Sequence, residues 1–137
     1  MLRTFITFDA DFPDDAEFAA SGDIVRPGGN AIMIALADAL GGQGYKLSEL
    51  VQHSFYGWTF TTGKDGEHYL ILQFAGPWLL QAGIQDAVGR PVEEADRAFV
   101  DLLHTCHHIL LADSRFHNIR WFTREEYDKS APGSASP

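Results

Sequence analysis

Three groups of residues in this chain have types and spacings that could do chemistry. The first is Asp101, His104 and His108. On a helix these side chains fall within about 60° of one another. Histidines at i and i+4 can share one divalent metal, with a carboxylate as third ligand. No HExxH pattern surrounds them, and the plain alternative is an exposed polar helix face. The second group is Cys106 beside His107, which suggests a thiol nucleophile. Helix geometry opposes it, because His107 turns about 100° away while Cys106 shares the apolar side with Phe99, Leu103 and Leu110. A thiol there is a small hydrophobe. The third is Pro27-Gly28-Gly29-Asn30, ahead of a helix. Its N–H groups could hold an anion, helped by Arg26. The simpler reading is glycines for a tight turn and Asn30 as the N-cap. The glycine spacings of nucleotide-binding loops are absent. No catalytic residue is assigned, the expectation is a non-enzymatic protein, and no metal or other cofactor is required.

A fourth feature is a charge run. Asp9, Asp11, Asp14, Asp15, Glu17 and Asp23 lie between Thr4 and Val25 with no Lys or Arg among them. They are the main source of a formal net charge of -9. Such a run can be a solvated loop that aids solubility. It can supply oxygen ligands to calcium, although the EF-hand spacing is not met. It can also be a docking surface that steers and selects a basic protein. The aromatics Tyr56, Trp58, Phe60, Tyr69, Trp78 and Trp121 either line a pocket or fill the core under the helices.

The overall balance of charge removes two classes of partner. Nucleic-acid affinity comes mostly from Lys and Arg neutralising phosphates. The ten basic residues here are scattered, so a nucleic-acid role is not expected. Anionic membrane surfaces are disfavoured in the same way. No apolar run approaches the ~20 residues of a membrane span. The acids near the N-terminus replace the apolar core a signal peptide would need. A single cysteine allows no intrachain disulfide, which fits a cytoplasmic protein.

These residues need elements to hold them. Leu2 to Phe8 alternates and reads as a strand. The acidic stretch reads as a long loop, with a short turn of helix around Asp14 to Ala20. A nearly all-apolar helix from Ala31 to about Leu40 follows, ended by Gly41-Gly42 and buried on more than one side. Tyr56 to Thr62 and Glu67 to Phe74 are strands joined by a turn with an Asp65-Gly66 pair. Trp78 to Ala82 continues the meander, while Leu47 to His53 is ambiguous. A second helix starts at Pro91, with Glu93 and Glu94 on its N-terminal dipole, and runs to about Ala112. His117 to Phe122 is the last strand. The expected fold is α+β: a mostly antiparallel sheet of four to six strands with two main helices packed on one face. Residues 1–129 read as a single domain, and residues 130–137 as a disordered tail.

With its acidic stretch, the GWTF strand and the GEHYLILQF strand, the chain resembles the small acidic α+β immunity proteins of bacterial toxin–immunity systems. The likeness lies in size, charge and element order over most of the chain. It implies a bacterial protein that binds a basic partner, a toxin, and neutralises it by covering its active site. The binding surface would be Asp9, Asp11, Asp14, Asp15, Glu17 and Asp23. Two alternatives stand beside it. One is a metal- or small-ligand-binding protein using Asp101, His104 and His108. The other is a homodimer or larger homo-oligomer built through the apolar Ala31 to Leu40 helix.

Overall fold

The alternation at the start of the chain becomes strand β1, Phe5–Ala10. Ile6 and Phe8 point into the core, where both are almost fully buried. The computed structural model describes residues 2–54 and 57–137. Tyr56, expected to begin a strand, lies outside the described residues.

The meander is present and longer than expected. It comprises β4 (Val51–His53), β5 (Gly57–Thr62), β6 (His68–Phe74) and β7 (Trp78–Gln85). The last long strand is β9, Phe116–Phe122. The order across the sheet is β4-β5-β6-β7-β1-β9, and every neighbouring pair is antiparallel. A two-residue strand, β8 (Pro91–Val92), adds to β7 and makes the sheet seven-stranded. β6 is central, as its two apolar faces suggested.

Pairing registers put the large side chains on one face. Ile6 lies opposite Leu80 and Trp121, Trp58 opposite Leu72, and Phe60 opposite Leu70. Those residues join one hydrophobic cluster with Ile32, Met33, Leu36 and Leu40 of helix α1, Asn30–Gly42. Phe99, Leu102, Leu103, Cys106 and Leu110 of helix α2, Arg97–Ala112, belong to the same cluster. The α+β class and the antiparallel sheet are as the sequence implied. α1 buries a single stripe, however, and Ile34 on it remains exposed.

α2 begins later than its sequence suggests. Pro91 pairs with Gln85 in a strand, and the turn before it is tied by Asp86, which accepts the Val88 and Arg90 N–H groups. The helix starts after Asp96, whose carboxylate accepts the Phe99 N–H at 2.7 Å. Asp96 is thus the side-chain N-cap, bonding the amide three residues on, while strand pairing with β7 takes Pro91 out of the helix.

A short third helix, α3 (Arg124–Asp128), is closed by a capping box between Thr123 and Glu126. Tyr127 on α3 packs against the outer sheet face, 5.5 Å from the Phe5 ring and 5.8 Å from Phe122. The segment 130–137, expected to be disordered, lies against β9: Trp121 and Ser134 exchange two backbone hydrogen bonds of 2.8 Å. The unpaired edge of β9 supplies the hydrogen-bonding groups that a polar tail can satisfy.

Candidate functional site

Residues 11–16 of the acidic stretch form a loop, as expected, but the residues after them fold as a hairpin and not as a helical turn around Asp14 to Ala20. Strand β2 (Glu17–Phe18) pairs antiparallel with β3 (Ile24–Arg26) in a small separate sheet. Its turn closes through Ala19 N–H to Asp23 C=O at 2.8 Å and Gly22 N–H to Ala19 C=O at 2.9 Å. Gly22 has φ +90°, a conformation glycine adopts without strain. Apolar Phe18 and Ile24 on either side of Ser21-Gly22 were the sequence signal for this hairpin.

The hairpin is fastened to α1 through Asp15. Its two carboxylate oxygens accept the Gly29 and Ala31 N–H groups, each at 2.8 Å. Asn30 makes no side-chain cap, and Gly29 occupies the capping position with φ +100°. The helix N-terminus that could have held an external anion therefore holds the protein's own carboxylate. Gly29 is required for a second reason: a Cβ there would lie 2.9 Å from both Leu72 and Trp78. The sheet grips this turn as well, since Trp58 Nε1–H donates to Pro27 C=O at 2.9 Å.

Between the hairpin, the start of α1 and the β6–β7 turn lies a cavity of about 380 Å³. Phe12, Phe18, Ile24, Ile32, Phe74 and Trp78 supply its apolar walls. Asp14 and Asp15 are its charged residues, and among the described residues no Lys, Arg or His lines it. Phe18 and Phe74 are 61% and 67% exposed, so the mouth itself is apolar. Phe74 and Trp78 meet edge to face at 5.0 Å. Volume and lining fall in the range of small-ligand pockets.

The six acids do not form one uniform surface. Glu17 and Asp23 belong to the hairpin and Asp14 to the loop before it; Asp14 accepts the Ala16 N–H, and Asp23 the Ser21 hydroxyl. Glu17 stands 4.0 Å from Arg26. Asp9 and Asp11 lie at β1 and β9 around His117, at 4.0 and 3.2 Å. A register shift between Thr7 and Asp9 puts Asp9 opposite His117. Asp15 is turned inward. Of the aromatic residues, Trp58, Phe60 and Trp121 are core, and Trp78 lines the cavity.

The helix face of Asp101, His104 and His108 does not converge. Asp101 is engaged by Arg97 at 3.2 Å. Among the described residues no group of three or more His, Cys, Asp or Glu is arranged to hold a metal ion. His107 turns inward instead, and its Nδ1 accepts the Trp121 Nε1–H at 3.0 Å. Burial, then the neighbouring His108 and His104, lowers its pKa from 6.5. Burial pushes the Cys106 thiol up to about 12, which leaves it protonated and inert. Buried His68 meets Asp96 at 3.3 Å. The Phe99 N–H, followed by His68, holds the Asp96 carboxyl below the usual carboxylate range.

No protein-family model matches the chain, and neither a curated protein nor a solved structure matches it. Among the described residues no helix is long and apolar enough to cross a membrane.

Proposed function

We propose that this chain is a non-enzymatic binding protein that receives a basic protein on its acidic hairpin, as an immunity-type inhibitor covers a toxin. The observation that carries this reading is the fastening of the hairpin by Asp15. Carboxylates on a fixed scaffold meet a partner without the ordering cost of a loose loop. Asp11 and Glu17 expose 72% and 62% of their side chains, so both can pair with Lys and Arg. Exposed Phe18, Ile24 and Phe74 add apolar contact on the hairpin and the β6–β7 turn. Charge steers encounter and buried apolar contact holds a complex. With one cysteine, such a protein suits the cytoplasm.

The test is capture of a partner from host lysate on tagged protein, eluted with a salt gradient. A basic protein released as salt rises is the expected result, because exposed charges are screened within about 10 Å at 0.1 M. The variant Asp11→Asn, Asp14→Asn, Glu17→Gln, Asp23→Asn is expected to lose that capture. Asp15 is left intact, because its loss would unseat the hairpin. Capture that survives both salt and the four substitutions would overturn the proposal.

A further inference from the structure

The cavity has a chemistry of its own, separate from the carboxylates spread over the hairpin. Four aromatic side chains, Phe12, Phe18, Phe74 and Trp78, surround it, and every charge in its lining is negative. Asp15 spends both oxygens on α1. Asp14 spends Oδ1 on the Ala16 N–H at 3.1 Å, and its side chain is exposed at the cavity wall. Two arginines are already engaged. Arg26 lies over the Trp58 ring at 5.0 Å, and Arg115 pairs with Asp113 at 2.7 Å. Arg115 also lies over the Phe12 ring at 4.3 Å, so this set of aromatics already accepts a cation on one of its faces.

Aromatic faces attract ammonium groups through their quadrupoles, and the attraction grows as water is excluded. A carboxylate at the wall adds a charge-assisted hydrogen bond. An anion would meet Asp14 and Asp15 without a compensating donor side chain, and the α1 amides are already taken. A neutral apolar molecule would leave the carboxylate of Asp14 unused. We propose that the cavity is a binding site for an organic ammonium ion carried on a short apolar body. The apolar body sits among Ile24, Ile32, Trp78 and Phe74, and the ammonium faces Asp14. Two sources offer this chemistry: a free alkylamine and a lysine side chain of a basic protein. The inference goes beyond the docking reading and stands or falls separately from it.

The experiment titrates hexylammonium, 1-hexanol and hexanoate into the isotope-labelled protein and follows the isoleucine methyl resonances. Saturable shifts of the Ile24 and Ile32 methyls are expected with hexylammonium, with affinity roughly tenfold above that for 1-hexanol. Hexanoate should bind least. Asp14→Asn keeps the oxygen that bonds Ala16 but removes the charge, so it should erase most of the preference for the amine. The peptide acetyl-Gly-Lys-Gly-amide separates the sources. Shifts of the same methyls assign the site to a partner's lysine, and shifts with the free amine alone assign it to a small molecule. Equal affinity for hexylammonium and 1-hexanol, or no shift of Ile24 and Ile32 with the amine, would overturn the proposal. Neither result would touch salt-dependent capture of a basic protein through Asp11, Glu17 and Asp23.

Discussion

The carboxylate of Asp15 accepts the Gly29 N–H at 2.8 Å, across fourteen residues of sequence. Its second oxygen accepts the Ala31 N–H at 2.8 Å, so a residue of the acidic stretch caps α1, and this sets Asp15 apart from the other five acids.

Asp15→Ala is therefore expected to destabilise the fold by about 1–2 kcal/mol, the usual cost of a lost N-cap. It should also release the hairpin, seen as faster amide exchange at Ala19 and Gly22. Asp15→Asn keeps one acceptor and should lose less. The same changes at Asp11 or Glu17 should alter stability by no more than about 0.5 kcal/mol. Equal melting temperatures for Asp15→Ala and Asp11→Ala would contradict the capping role.

His107 gives the protein an acid-sensitive core contact. Its pKa is lowered on folding, so the unfolded chain takes up the proton first as pH falls. The stability held by the neutral ring is complete above about pH 6.5 and is lost as pH drops through the folded value. His107→Gln retains an acceptor for Trp121 and cannot take up that proton. The fall in melting temperature between about pH 7.5 and 5.5 should be smaller in this variant. His107→Ala leaves the buried indole N–H without its acceptor and should cost about 1–3 kcal/mol at neutral pH.

Cys106 should be silent in the folded protein. It is fully buried, and its thiol is pushed up to about 12. A maleimide is expected to label it only after denaturation, with native labelling no faster than global unfolding. Rapid labelling of native protein would mean that α2 opens locally.

Much of the fold could be read from the chain, and the reasons differ between elements. The β5–β6–β7 meander was plain because alternation and an Asp-Gly turn are local signals. The start of α2 was misplaced because Pro91 and Asp96 both mark a beginning, and only pairing with β7 decides between them. The site was half legible. The acidic stretch is visible in composition, but the roles of its members depend on contacts far along the chain. Asp15 reaches Gly29, and Asp11 reaches His117. Trp78 was counted among the aromatics that could line a pocket. Its place in the cavity rests on a hairpin that two short strands form, and strands of two and three residues carry almost no periodic signal.

The segment after α3 offers a further check. Gly133 has φ +81°, and a Cβ there would lie 2.7 Å from the Phe122 ring. Gly133→Ala should lift this segment from β9. Faster exchange of the Trp121 amide, bonded to Ser134, is the expected sign. Unchanged exchange would mean that the Trp121–Ser134 bridge does not protect that edge.

The position of β1 has a consequence for synthesis on the ribosome. β1 ends up between β7 and β9, both of which are made well after it. Until residues 78–85 and 116–122 follow, both of its edges lack their partners and Ile6 and Phe8 lack their cover. Long-range pairing of this kind closes slowly and leaves nascent chains open to aggregation. Asp9 at the end of that apolar strand, with Asp11, Asp14 and Asp15 just after it, gives this segment its own electrostatic guard while it waits.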